Sequence, residues 1–271
     1  MTDPKLSLAP KQKGAGYSCL LFDADDTIFD FQSAEKEALE QVLKAYKLPR
    51  TDEVKAYYRA ANHELWRALE EGKIKRAEVL EQRFAKVLAY IEQQVEQHAA
   101  WGISKDELQS LEPAELNRQY LAFLAEADQL LPGAGELLPR LKQAGYQLFL
   151  LTNGVAHVQR RRLEKSGLAS YFESVYISEE VGYEKPDPAF FAPVMQQTAE
   201  LDPACRLMIG DSLTSDMQGA EKIGIDRLWF NVRKKARPQT LVLQGEVHDW
   251  EGLWAYLERK GAYALPCLEQ S

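Results

Sequence analysis

The chain carries two textures of hydrophobic and polar positions. Residues 17–22 form a short apolar run cut off by Asp23, Asp25 and Asp26, the pattern of a buried strand ending in a polar turn. From Ser33 to Ala127 the apolar residues recur instead at helical spacing, and no segment there reads as a strand. Ser33 is placed to N-cap a helix over 33–47, stopped ahead of Pro49. A second helix is predicted over 54–71, with Gly72 to end it. A long amphipathic helix follows over 77–100, broken by Gly102. Ser104-Lys105-Asp106-Glu107 has the form of a capping box, and 115–127 is the last helix of the block.

After Leu131-Pro132-Gly133-Ala134-Gly135, strands and helices alternate. The apolar run 146–151 ends in Thr152-Asn153-Gly154, and a helix follows over 157–166. A β-rich run over 174–178 precedes a helix over 188–200 that opens on Pro188. The run 207–210 ends in Asp211-Ser212 and leads to a helix over 215–223 closed by Gly224. A strand over 227–232 and an amphipathic helix over 249–260 complete the pattern. Such alternation predicts an α/β fold with a doubly wound parallel, Rossmann-like sheet. The helical block then reads as an insertion after the first strand. The expected organisation is a flexible tail (1–16), a core (17–30 and 131–271) and an all-helical cap (31–130) joined by linkers near 29–32 and 128–132.

Composition narrows the function. The 271 residues accommodate one core and a smaller insertion, and the 45% hydrophobic and 27% charged fractions are those of a globular protein. A net charge of −8 argues against a nucleic-acid polymer as partner, which would want a basic face. It leaves open a small phosphorylated substrate, whose charge a metal and local cations can balance. Cys19, Cys205 and Cys267 are odd in number and match no metal spacing, so a reducing compartment is expected, with Cys19 and Cys205 as core residues. Residues 1–16 lack the apolar stretch of a secretory signal, and no run approaches a membrane span. The expectation is a cytoplasmic enzyme without a membrane partner, its oligomeric state left open.

In an open α/β sheet, ligands bind beyond the carboxyl ends of the strands. Four polar clusters follow strand-like runs and would share that edge: Asp23-Ala24-Asp25, Thr152-Asn153-Gly154, Glu184-Lys185-Pro186-Asp187, and Gly210-Asp211-Ser212 with Asp216. Asp23 and Asp25 crowd two like charges, which calls for a compensating cation. Mg²⁺, which takes oxygen ligands, is the natural one. Asp23, last in its strand, is the nucleophile candidate; attack on phosphorus gives an acyl phosphate. Asp25 is placed to protonate the leaving oxygen and then to activate water, a role that asks for a raised pKa. Thr152 and the backbone N–H groups of Asn153 and Gly154 are candidates to hold phosphoryl oxygens, and Lys185 to neutralise the transferring group. Asp23, Asp211 and the backbone carbonyl of Asp25 are the candidate metal ligands. Ser212 and Asp216 are expected in support, and Asp26 as a turn residue. Taken singly these clusters also read as a helix cap, a plain turn and a surface lysine. Their joint placement at strand ends favours the phosphoryl-transfer reading.

These four clusters resemble the motifs of the haloacid dehalogenase-like superfamily, and the resemblance covers nearly the whole chain. It implies Asp23 as nucleophile, Asp25 as acid/base, Thr152 and Lys185 at the phosphate, Asp211 at Mg²⁺, and a C1-type cap. An acid at position 25 is similar to the phosphatases of that superfamily rather than to its dehalogenases. Asp25-Asp26-Thr27-Ile28-Phe29-Asp30-Phe31, Leu65-Trp66, Gln159 and Arg162 resemble the branch of noncanonical pyrimidine 5′-nucleotidases. The tail to Gly16 and the stretch from Lys234 onward do not resemble family features.

Substrate choice is expected in the cap. Phe29 and Phe31, beside the first linker, are candidates to couple phosphate binding to that choice, and His63, Trp66 and Arg67 share one helix. The plainer reading makes Trp66 and Phe84 cap core, His63 a solvated residue, and Arg160-Arg161-Arg162 a solvated basic face. The predicted activity is that of a Mg²⁺-dependent phosphomonoesterase acting through an aspartyl phosphate, with a nucleoside 5′-monophosphate as the leading substrate. A sugar-phosphate phosphatase or phosphomutase, and a non-catalytic binding protein, are the alternatives.

Overall fold

The computed structural model describes residues 16–237 and 241–261. The proposed tail, Gly16 apart, and Cys267 lie outside them. In chain order the elements are β1 (Cys19–Phe22), α1 (Phe31–Ala45), α2 (Asp52–Glu70), α3 (Arg76–Gln94), α4 (Lys105–Gln109), α5 (Pro113–Ala125), α6 (Ala134–Gln143) and β2 (Gln147–Thr152). Then come α7 (Ala156–Ser166), β3 (Ser174–Ile177), α8 (Ser178–Val181), α9 (Pro188–Gln197), β4 (Arg206–Gly210), α10 (Gln218–Lys222), β5 (Asp226–Phe230), β6 (Gly245–Val247) and α11 (Trp250–Arg259).

All strand pairs are parallel, in the order β3-β2-β1-β4-β5-β6. Strand β1 is therefore central, flanked by β2 on one side and β4 on the other. The chain reverses its direction of sheet growth between β1 and β4, which is where such sheets bind ligands. Alternate residues of the strands feed two cores. Leu20, Phe22, Leu150 and Ile209 face α6 and α11, packing with Leu138 and Trp250. Cys19, Leu21, Leu151 and Met208 face the other way, with Phe190 and Phe191 of α9. Both Cys19 and Cys205 are buried, as expected of core residues.

Helices α1, α2, α3 and α5 pack around a separate cluster that includes Tyr58, Phe84, Ile91 and Tyr120. Its contact with the sheet side comes through Val155 and Val158 at the start of α7. The two connections meet: Asp30 N–H donates to the Gln129 carbonyl at 3.0 Å and Leu131 N–H to the Ile28 carbonyl at 2.8 Å. No helix among the described residues is long and apolar enough to cross a membrane.

Several boundaries differ from expectation. Helix α1 begins at Phe31 because Asp30, not Ser33, is its N-cap; the Asp30 side chain accepts from Ser33 N–H. Helix α3 ends at Gln94, and the chain makes a short 3₁₀ turn at Ala99–Trp101 before Gly102. The predicted helix over 215–223 is two pieces. A π-helical turn, Leu213–Met217, precedes α10, with Met217 N–H reaching the Ser212 carbonyl. Helix α6 and strand β6 were not anticipated; α6 carries Pro139 in its interior, a residue that reads as a break.

Candidate active site

Asp23 follows β1 directly, and its N–H donates to Ile209 of β4, which fixes the backbone. The side chain is buried against Lys185. The Lys185 ammonium lies 2.6 Å from Asp23 Oδ1, 2.7 Å from Asp216 Oδ1 and 2.7 Å from the Leu151 carbonyl, so its three protons are all used. Burial by itself would lower the Lys185 pKa, but Asp216 and Asp23 outweigh it, and the net shift is upward: the lysine stays charged. Burial pushes Asp23 well above the ordinary carboxylate range. Lys185 opposes this, and Asp216, Asp211 and Asp25 add to it.

Lys185 is not on a regular element, and Asn153 explains how it is held. The Asn153 amide accepts from Lys185 N–H at 2.8 Å and donates to its carbonyl at 2.9 Å. Its side chain is thereby spent on a backbone clamp. Thr152 Oγ1 accepts from Gly154 N–H at 3.2 Å and from Gln159 Nε2 at 3.0 Å, leaving its O–H to donate into the cavity. Gly154 is required by that packing, since a Cβ there would come within 2.5 Å of the Gln159 side chain.

Asp216 is fully buried, with Oδ2 accepting from Ser212 N–H at 3.1 Å. A Cβ on Gly210 would meet that oxygen at 2.2 Å, so only glycine fits opposite it. Ser212 caps the π-helical turn through Ser215 N–H. Asp211 carries Lys235 at 3.2 Å, and burial pushes its carboxyl up to about 7, with Lys235 opposing and Asp216 and Asp26 adding. Oxygens of Asp23, Asp211 and Asp216 lie within 4.8 Å of one another. Three carboxylates, with Lys185 and Lys235 as the cations beside them, are the donor set of a hard divalent cation. Both Asp216 oxygens are already engaged, which leaves Asp23 and Asp211 as the side chains free to hold it.

Asp25 faces elsewhere. Its Oδ1 lies 2.5 Å from Arg162 Nη1 and its Oδ2 accepts from Gln159 Nε2 at 2.7 Å. Arg162 has no exposed surface, and its placement corrects the expectation of a solvated basic run. It donates through Nε to the Ala127 carbonyl at 2.8 Å and stacks 4.3 Å over the Phe29 ring. One guanidinium thus touches Asp25 and both connections to the helical layer. Arg160 and Arg161 do lie on the surface, paired with Glu180 and Glu126. The local spacing that could have separated them is helical: Val158 and Arg162 share the inward face of α7 at i and i+4. Asp26 sits in a turn as expected, at φ +55° and paired with Arg233 at 3.0 Å.

Above these groups lies a cavity whose walls include Phe31, Trp66, Leu121, Leu124, Val155 and Val158, with Glu70 and Arg83 among its polar lining. Trp66 faces the cavity and also packs, half-buried, against Leu65, Leu69 and Val79 of α2 and α3. Phe84 is core, and His63 and Arg67 are exposed. Phe29 is buried beneath Arg162 and does not line the cavity; Phe31 does. Arg83, Glu70 and Leu121 carried no sequence signal, being apart in the chain and unremarkable on their helices.

Comparison with known proteins identifies the family. Residues 17–224 match the model of the haloacid dehalogenase-like hydrolases. The chain is 37% identical over 241 residues to the HAD-hydrolase YfnB of Bacillus subtilis, covering 89% of this chain and 95% of that one. It is 39% identical over 243 residues to the pyrimidine 5′-nucleotidase PynA of Streptococcus pneumoniae, with 90% and 96% covered. To the pyrimidine 5′-nucleotidase YjjG of Escherichia coli it is 31% identical over 220 residues, with 81% and 88% covered. A crystal structure of YfnB bound to magnesium, which reveals interdomain movement in that protein, superposes with a TM-score of 0.78 at 36% identity, over 89% of this chain and 99% of that one. With the central strand ending on Asp23, the lysine beneath it and the carboxylates around it, the chain belongs to the haloacid dehalogenase-like hydrolases.

Proposed function

We propose that the protein is a Mg²⁺-dependent phosphomonoesterase acting on nucleoside 5′-monophosphates, pyrimidine nucleotides foremost, through a phosphoryl group carried on Asp23. The observation that supports it most is the division of labour between two acids two residues apart. Asp23 is locked to Lys185 on the floor, while Asp25 is held at the wall by Arg162 and Gln159. The relatives named as pyrimidine 5′-nucleotidases, matched along most of both chains, favour the nucleotide.

In the first step the free Asp23 oxygen forms a bond to phosphorus as the ester P–O bond breaks. A protonated Asp25 passes its proton to the departing oxygen. In the second, water attacks phosphorus, Asp25 takes back a proton, and the Asp23–phosphorus bond breaks to release phosphate. Lys185 balances charge on Asp23 and the transferring group, and the Thr152 hydroxyl donates to a phosphoryl oxygen. Asp23, Asp211 and the Asp25 carbonyl would hold Mg²⁺, which supplies Lewis-acid charge stabilisation. The helical layer acts as a cap hinged where 28–30 pairs with 129–131, excluding water during the first transfer. Phosphate release across nucleotides and sugar phosphates, with and without Mg²⁺, tests the reading. Nucleotide hydrolysis that is strong and Mg²⁺-dependent supports it. Phosphate release slower than substrate loss points to a mutase, and preference for a sugar phosphate sinks the nucleotidase assignment.

A further inference from the structure

Arg83, midway along α3, is only 2% exposed yet lines the cavity. Its Nε donates to Asn117 Oδ1 at 2.6 Å, and its guanidinium lies 4.6 Å from the Tyr120 ring centre. No carbonyl or carboxylate among the described residues accepts from its Nη1 or Nη2; the neighbours of Nη2 are the hydroxyls of Tyr58 and Tyr120, with Tyr58 in hydrogen-bonding reach. A guanidinium so short of acceptors is uncommon, and this residue borders the space a substrate fills. An acceptor on the substrate would satisfy it.

The charge around Arg83 says what kind of acceptor. Glu35 is buried and hydrogen-bonded by Asn62 at 2.8 Å. Burial raises its carboxyl, while the Asn62 bond and the fields of Arg83 and Arg59 oppose that rise. The Arg83 charge thus already acts on Glu35 within the helical layer. A second anion on the substrate would compete with Glu35, whereas a neutral carbonyl oxygen needs only a guanidinium N–H. Trp66 and Phe31 add planar walls against which a flat ring can lie.

We infer that Arg83 is a specificity residue whose guanidinium hydrogen-bonds a neutral carbonyl oxygen on a planar ring of the leaving group, as a pyrimidine base presents. This rests on the nucleotidase reading and deepens it. The test compares Arg83→Met and Arg83→Lys with the wild type on three substrates. 2′-Deoxyuridine 5′-monophosphate has ring and carbonyl, phenyl phosphate has a ring without an acceptor, and phosphoglycolate has a second anion without a ring. The expected result is a loss of kcat/KM in R83M on the uracil nucleotide at least tenfold greater than on phenyl phosphate, with partial recovery in R83K. Equal losses on the two aromatic substrates would assign Arg83 a structural role and overturn the inference, as would no loss on either. A loss concentrated on phosphoglycolate would make Arg83 an anion site and overturn it too. If the wild type itself prefers phenyl phosphate to the nucleotide, the nucleotidase reading fails and this inference with it. A wild type that prefers the nucleotide, beside equal losses in R83M, condemns the Arg83 assignment alone.

Discussion

The floor and the roof of the cavity are built on opposite principles. On the floor every charge is answered. Lys185 spends three protons on Asp23, Asp216 and a carbonyl, and Asp216 spends both oxygens on Lys185 and Ser212. Asp23, Thr152 and Asp211 stand at the ends of β1, β2 and β4, neighbouring strands whose register fixes them, and Lys185 and Asp216 reach in from the segments beyond β3 and β4. The roof comes from separate helices, and its one buried cation, Arg83, meets a single amide oxygen, that of Asn117, and otherwise only tyrosine hydroxyls among the described residues. A fully satisfied network suits a reaction that never varies. A roof cation short of acceptors suits the recognition of whatever the phosphate is attached to.

Breaking the floor should cost most. Lys185→Met leaves Asp23 and Asp216 facing each other in a buried site, and loss of one partner of such a cluster destabilises by about 3–5 kcal/mol. Urea denaturation reads this out. His63→Ala on the exposed face of α2 should stay within about 0.5 kcal/mol. A K185M loss no larger than that of H63A would remove the contrast.

The seam between floor and roof is Arg162, and its effect should be smaller and selective. Arg162→Met frees the Asp25 carboxyl and cuts ties to Ala127 and Phe29. Proton donation to a departing alkoxide is worth about 10²–10⁴-fold, whereas p-nitrophenolate departs without it. We expect kcat on a nucleoside monophosphate to fall at least tenfold more than kcat on p-nitrophenyl phosphate. Equal losses would reduce Arg162 to a structural strut.

The last effect concerns pH. Burial pushes Asp211 up to about 7, against about 3.9 for an unfolded aspartate. Between those values the unfolded chain has released its proton while the folded one keeps it. Stability of the metal-free protein should therefore fall as pH rises through that window, then level off above it. A cation needs the ionised carboxylate, so its stabilisation should grow over the same range. Mg²⁺ should raise Tm more at about pH 7.5 than at about pH 5.5. Equal increments would separate Asp211 from the cation.

The same contrast explains what could be read without coordinates. Asp23, Thr152 and Asp211 each follow an apolar run, and a parallel sheet must bring such residues to one edge, so sequence order sufficed. Lys185 sits off any strand and was legible only through its neighbours Pro186 and Asp187. Arg162 was misread because a triplet of arginines looks solvated, while helical phase turns one of the three inward. Arg83 was illegible: its meaning comes from a shortage of acceptors and from Asn117, Glu35 and Tyr120, none adjacent in the chain. Helix α6 was obscured by Pro139, and the start of α1 by Asp30, a better-placed cap than Ser33.

The covalent step is tested most directly by acid quench during turnover, followed by peptide mapping of the protein. The tryptic peptide from Gly14 to Lys36 contains Asp23 together with Asp25, Asp26 and Asp30. We expect a phosphoryl group on that peptide, localised to Asp23 by fragmentation, formed in wild type and absent in Asp23→Asn, whose turnover is abolished. Turnover retained in D23N, or a phosphoryl group placed on another residue, would contradict nucleophilic attack by Asp23.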